Sequence, residues 1–255
     1  MMQKKIIRQI IFYSFLLILW EVLVLLKFWP EYVFPSPLKV FATLISGFRD
    51  SSFLIAIGIS LKRIVIGYGI SIALGGMLGM LMSRYKLVDD TLGGLVLGLQ
   101  TLPSICWLPL ALLWFGLNEN AIIFVVIMGA LFSITIATDS SIRNVPSLYI
   151  KAGKNMGAKN MTLFWEVILP ATLPSIIPGL KQGWSFAWRS LMAGELLFVS
   201  LGLGYLLMTG RELNDMSQVI AVMLTIALIS IMVDKLVFGR IELGIRRKWG
   251  TERNI

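Results

Sequence analysis

The chain is a series of long apolar runs, each about the length of a bilayer crossing and each bounded by a short charged or proline-containing stretch. A helix needs about 20 predominantly apolar residues to cross the hydrocarbon of a bilayer. There the backbone has no water to bond to, so each run must satisfy its own hydrogen bonds as a helix. Six runs qualify, at 6–28, 64–82, 92–114, 121–138, 175–198 and 218–238. The expectation is an all-α polytopic membrane protein, one transmembrane domain over residues 1–255 with six transmembrane helices. Composition agrees, since only 15% of residues are charged and 57% are hydrophobic, whereas a soluble domain carries about 25% charged residues.

The same composition closes off several kinds of chemistry. The chain has no His, which removes Ser/His/Asp triads and His-containing metal sites, and its single Cys106 leaves no internal disulfide. No catalytic residue, metal ligand or cofactor is expected in this chain. The net charge of +9 does not read as a nucleic-acid patch, because the basic residues sit in connectors and at the tail. The first run is too long for a signal peptide and no small-residue cleavage site follows it, so it reads as a retained helix. Counting Lys and Arg gives fourteen on the side of the two termini, Lys4, Lys5 and Arg253 among them, against six on the other. That asymmetry places both termini and the long connector in the cytoplasm of a multi-pass membrane protein.

Local features refine the outline. Leu38–Asp50 reads as a short amphipathic segment, and 51–63 as an interfacial stretch before the second span. Arg84–Asp90 reads as a charged turn, and Leu201-Gly202-Leu203-Gly204-Tyr205 as a turn opening a loop to Ser217. Gly75 and Gly79, like Gly94 and Gly98, stand four apart and suit close helix packing. In the third run Gln100, Pro103 and Pro109 predict a kinked or partly unwound helix, and irregular backbone at membrane depth belongs against protein or a water-filled cavity. Gln100 and Pro103 are therefore candidate pathway residues. Pro174 and Pro178 suit the first turn of the fifth span, and Lys181 is placed to snorkel. Deeper in that span Arg189 and Glu195 are costly in lipid. Arg189 either pairs with Glu195, Asp234 or Glu21 or lines the pathway and attracts an anion; both residues are pathway candidates. Glu21 in the first span is expected to face protein or headgroups.

The connector 144–170 is the one long polar-faced segment between hydrophobic runs. Pro146 and Ser147 start a helix, with Asn144 or Ser147 as its cap. Val145, Leu148, Tyr149, Ala152 and Met156 share one face, flanked by Lys151 and Lys154. Gly157 is placed to end that helix in the left-handed conformation, and Pro170 to stop a second short one. The apolar face suits either the ends of the chain's own helices or a groove in a partner.

This segment resembles the cytoplasmic loop of the permease subunits of bacterial ABC importers. The pattern there is Glu-Ala-Ala, three residues, Gly, nine residues, Ile, one residue, Leu-Pro. Here Lys151-Ala152-Gly153 takes the first three positions, Gly157 the glycine, Val167 the Ile, and Leu169-Pro170 closes the pattern. The acidic position is reversed to lysine and the second Ala is Gly. Further stretches, Leu19-Trp20-Glu21, 103–110, Leu113-Trp114-Phe115-Gly116 and Gly202-Leu203-Gly204-Tyr205, are similar to the branch handling nitrate, sulfonates and taurine. The resemblance implies a type I importer permease fold and a homodimer forming one pathway through the lipid bilayer. It also implies two ATP-binding cassette ATPase subunits that bind the ATP, an extracytoplasmic substrate-binding protein, and no nucleic acid. Its coupling residues would be Ser147, Leu148, Lys151, Ala152, Gly153, Met156, Gly157, Leu169 and Pro170. The chain itself has no GxxxxGK[ST] phosphate loop, because Gly153-Lys154 lacks the spacing. An ion-gradient-driven secondary transporter is the alternative class; internal repeats, a common mark of that class, are not found here.

Overall fold

The computed structural model describes residues 2–197 and 201–248, without the side chains of 2–5, 246 and 248. Phe198 at the end of the fifth run and Arg253 in the tail lie outside the described residues, as do the side chains of Lys4, Lys5, Arg246 and Lys248. Every regular element among the described residues is a helix. By internal contact the chain forms two compact units, Met1–Ile59 with Val199–Leu228, and Ser60–Phe198 with Ile229–Ile255.

The first unit holds α1 (Met2–Leu25), α2 (Pro37–Arg49), the first turns of α3 (Ser52–Arg84), α10 (Leu203–Glu212) and most of α11 (Met216–Val233). Trp20 donates its indole N–H to the Pro35 carbonyl at 3.0 Å, and Ser36 caps α2 by accepting from the Lys39 N–H. At the corner between α2 and α3, Ser52 donates its backbone N–H to Asp50, which holds that carboxyl below its usual range. Glu21 is half-buried and faces protein, in the wall of an apolar cavity of about 550 Å³ with Leu17, Trp20, Phe41 and Leu44. The stretch expected as a loop to Ser217 is instead mostly the helix α10. Its end is tied by Asp215 N–H to the Gly210 carbonyl, and its side by the Gln218 amide to the Leu206 carbonyl.

The second unit contains the rest of α3, α4 (Lys86–Gln100), α5 (Leu108–Phe115), α6 (Glu119–Arg143), α7 (Ser147–Asn155), α8 (Asn160–Leu163), α9 (Leu169–Leu197) and α12 (Gly239–Lys248). Its core is α6, which buries Ile122, Val125, Val126, Ala130, Phe132 and Ile134. Between lipid-facing helices there is no water to expel, so close backbone packing decides association. Two glycines of α3 supply it. A Cβ built on Gly75 would stand 2.7 Å from the Leu131 carbonyl oxygen, and one on Gly79 would stand 2.5 Å from that of Thr135. Gly94 and Gly98 on α4, with the same spacing, have nothing within 4 Å of such a Cβ. The expected packing role therefore holds for the first pair and not for the second within this chain.

Five helical stretches among the described residues are long and apolar enough to cross a membrane: Ile6–Leu25, Ser52–Arg84, Glu119–Arg143, Asn160–Leu197 and Met216–Ile245. A sixth forms if Lys86–Gln100 and Ser104–Phe115, bent by 106°, make one broken span. Several expected boundaries move. Residues 51–63 are not a separate interfacial piece, because Arg63 is buried against Glu195, Lys62 pairs with Glu119 at the surface, and α3 need not break there. Most of the charged turn 84–90 is already the first turn of α4.

Proline produces two opposite outcomes. At Pro103 the helix breaks, with α4 ending at Gln100 and a tight 3₁₀ turn, Ser104–Trp107, leading into α5. At Pro170 the helix does not stop. A wider π turn over Phe164–Ile168, closed by the Leu169 N–H to the Phe164 carbonyl, joins α8 to α9 and lets the chain run on from Asn160 to Leu197. Pro174 and Pro178 accordingly lie inside α9 rather than at the start of a new helix.

The glycine contrast gives a direct test. Gly79→Ala should destabilise the purified subunit by about 1–3 kcal/mol, because the new methyl meets backbone that cannot yield. Gly98→Ala should be neutral or stabilise by up to about 1 kcal/mol, through helix propensity alone. Thermal unfolding in detergent reads both.

Candidate functional site

Three groups of residues in the second unit carry chemistry or a surface. The first is the connector. Arg143, the last residue of α6, fixes its point of departure by pairing with Asp139 at 2.8 Å and Asp89 at 2.9 Å and donating to the Met82 carbonyl at 3.0 Å. The start of α7 differs from expectation: Pro146 precedes it and neither Asn144 nor Ser147 caps it. Ser147 is already helical, and Asn144 donates to Ser140. The end of α7 is a glycine stop. Gly157 has φ +90°, its N–H bonds the Lys154 carbonyl, and the Ala158 N–H bonds that of Gly153, each at 3.0 Å.

The face on which α7 packs runs through Gly153, its one buried residue among those described. A Cβ there would lie 2.9 Å from both Leu163 and Val167 side-chain carbons, so α7 sits directly on α8 and the π turn. The face through Leu148, Tyr149, Ala152 and Met156 is turned outward instead, with Leu148 70% and Met156 81% exposed, whereas Val145, expected on the same face, precedes the helix and is buried. Lys151, Lys154 and Lys159 are exposed beside it. Leu169 and Pro170 are half-buried within the continuous helix rather than at a corner.

The second group surrounds the Pro103 break. Gln100, Thr101, Pro103, Ser104, Phe186 and Arg189 are among the residues lining a cavity of about 320 Å³, which α6 closes at Gly129 and Phe132. Arg189 is exposed into this space and lies 5.3 Å over the Phe186 ring. It forms no ion pair among the described residues. It also borders a second cavity, of about 660 Å³, with Trp184, Trp188, Ser230, Asp234 and Lys235.

The third group takes Glu195 and Asp234, two of the three carboxylates that were candidate partners of Arg189. Glu195, 1% exposed, accepts from Arg63 at 2.9 Å and from the Ser60 hydroxyl at 2.8 Å. Arg63 in turn reaches Glu119 at 3.3 Å, and Lys62 joins that carboxylate at 3.6 Å. Asp234 is held by Lys181 at 3.1 Å, with Glu242 at 3.6 Å from the same amine. Thus Gln100, Pro103 and Arg189 share one cavity, whereas Glu195 lies apart from it in a buried ion pair. Arg63 was not singled out in the sequence; its partner lies 132 residues away, and no local pattern announces the pair.

The family described as binding-protein-dependent transport system inner membrane component matches residues 67–242. The chain belongs to that family. It is a multi-pass membrane protein and the permease subunit of an ABC transport system. A putative ABC transporter permease protein of Methanocaldococcus jannaschii is 40% identical, over 69% of this chain and 67% of its own length. The taurine transport system permease protein of Escherichia coli K12 is 27% identical, over 91% of this chain and 83% of its own. The nitrate import permease protein of Synechocystis is 26% identical, over 91% and 87%. The fold is similar to a chain of the MetNI methionine ABC transporter in inward-facing form, with TM-score 0.64 and 18% identity over 73% of this chain and 92% of that one.

In this permease the buried Arg63–Glu195 pair joins α3 to α9, and its two halves should be unequal to their sum. Glu195→Leu takes from a buried cation its carboxylate at 2.9 Å, leaves it the half-exposed Glu119 at 3.3 Å, and should cost about 3 kcal/mol. Combining it with Arg63→Met should recover much of that loss, as unfolding of the single and double variants in detergent would report.

Proposed function

We propose that the chain works as one of two copies around a single pathway, driven by two separate ATPase subunits that grip α7. An extracytoplasmic binding protein would deliver the substrate. The observation that carries this reading is the outward apolar face of α7, Leu148, Ala152 and Met156, beside three exposed lysines. An apolar helix face of this kind, outside any membrane-spanning run, suits a partner groove. The excess of Lys and Arg on the side of the connector supports a cytoplasmic place for it and for both termini. ATP belongs to the partner, since this chain carries no phosphate loop.

Coupling then follows from chain continuity. Gly153 seats α7 on Leu163 and Val167, and the helix that begins at Asn160 runs without a break to Leu197. At about 1.5 Å per residue it is roughly 55 Å long, and it carries Arg189 and Glu195. Closure of the ATPases would push on α7 and tilt this lever, shifting access to the cavity at Arg189. Lys151 stands where related loops carry glutamate, so the matching groove is expected to offer an acidic or neutral partner there.

The substrate class is a small anion of the nitrate, sulfonate or taurine kind. It is supported by the taurine and nitrate permeases that match 91% of the chain and by Arg189, which lines the cavity and has no ion pair among the described residues. Uptake of labelled nitrate or taurine into vesicles tests the whole reading. Uptake should require ATP, the ATPase and the binding protein, and Leu148→Glu with Met156→Glu should abolish ATPase co-purification and uptake together. Uptake driven by an ion gradient without ATP would contradict the reading and favour a secondary transporter.

A further inference from the structure

Among the described residues of the second unit, the carboxylates offered to Arg189 from its own helix and from the stretch after α11 are bonded to other cations. Glu195 and Glu119 are committed to Arg63 and Lys62, and Asp234 and Glu242 to Lys181. Arg189 forms no ion pair among the described residues, and the 320 Å³ cavity is lined by no other charged side chain, whereas the second cavity it borders also holds Lys181, Asp234 and Lys235. An arginine at membrane depth is costly unless something neutralises it or water reaches it. The Phe186 ring at 5.3 Å steadies the guanidinium without consuming any of its five N–H donors.

The helix break supplies a further part of the cavity wall. Gln100 ends α4 and Ser104 begins the turn after Pro103, so the bend brings both to the cavity on one side of the arginine. Neither side chain makes a hydrogen bond among the described residues, so the amide N–H₂ and the hydroxyl remain available as donors. Thr101 and Ser190 are different, for their hydroxyls already donate to the Gly98 and Phe186 carbonyls. At about 320 Å³ the space lies at the small end of ligand sites.

We propose that Arg189, Gln100 and Ser104 form an oxyanion subsite inside the permease, which takes the trioxo head of nitrate or an alkanesulfonate. The guanidinium fork bonds two oxygens of the head in parallel, a geometry lysine does not reproduce. Gln100 and Ser104 donate to the remaining oxygen. The anion supplies the counter-charge the fold withholds from Arg189, so the site is filled by substrate and not by a structural carboxylate. This deepens the small-anion reading and rests on it for the class of substrate.

The experiment measures binding of sodium nitrate and sodium methanesulfonate to the detergent-solubilised permease–ATPase complex without binding protein. It compares wild type, Arg189→Gln, Arg189→Lys and Gln100→Leu. Arg189→Gln should weaken both anions about ten- to hundredfold, the worth of a charge-assisted pair. Arg189→Lys should fall between it and wild type, and Gln100→Leu should lose less. Wild-type affinity in Arg189→Gln, or no binding by the wild-type complex, overturns the subsite. Failure of both arginine variants to assemble would make Arg189 a structural residue and overturn it equally. Uptake separates this from the functional reading: a wild-type complex that binds these anions but transports neither keeps the site and loses the assigned substrate class.

Discussion

The seam between α6 and α9 is the constraint on which the second unit depends. It is made by small residues facing bulk or facing each other: Gly183 against Ile134, Gly194 against Ile122, Gly179 against Ala137 and Gly129 against Ser190. Built Cβ atoms would lie 2.8 Å from Ile134 and 3.2 Å from Ile122, so the two backbones have no room for larger side chains. In lipid such contact replaces the hydrophobic drive that assembles soluble cores. It also sets where every functional group stands. Ser190 fixes the depth of Arg189 beside it, and Gly194 that of Glu195. The four contacts along α9 keep it one stiff rod despite Pro174 and Pro178.

That rod explains how a basic connector and a cavity near the helix break can belong to one device. The π turn at Phe164–Ile168 absorbs Pro170 without ending the helix, so displacement at α7 need not be lost at a hinge. A second π turn, Asp234–Phe238, sits in the α11–α12 stretch that carries the Asp234 and Glu242 partners of Lys181. The buried Arg63–Glu195 pair lies near the far end of the rod, where it ties α9 to α3. The rod is thus anchored by charge near one end and by the packing of Gly153 at the other, with Arg189 between.

Much of this was legible in the residues. Apolar runs of bilayer length signalled an all-helical membrane protein, because no other open-chain structure satisfies its backbone in lipid. Gly157 and its spacing to Leu169-Pro170 marked the connector as a shaped element, and Pro103 marked the break. The 106° angle of that break was not legible, since proline removes a bond but leaves the direction to packing. Nor was the passage through Pro170, because a π turn has no sequence signature of its own. The outward turn of the Leu148 face was undecidable from periodicity, which shows that a face is apolar but not what covers it. Gly153 decided the matter, for the buried side of α7 passes through a residue without a side chain. The pairing of Glu195 with Arg63 was hidden for a simpler reason: the sequence showed several carboxylates in range of several cations, and only the fold selects among them.

If α7 presents its apolar face to an ATPase, the assembled ATPase must cover Met156. The most direct measurement places a cysteine at Met156 in a Cys106→Ser background, Cys106 being exposed and the chain's single cysteine. Maleimide labelling is then followed in inside-out membrane vesicles with and without the ATPase subunit. The permease alone should label readily, and assembly with the ATPase should protect the thiol strongly. Labelling that the ATPase leaves unchanged, or a thiol already blocked without it, would rule out docking on this face.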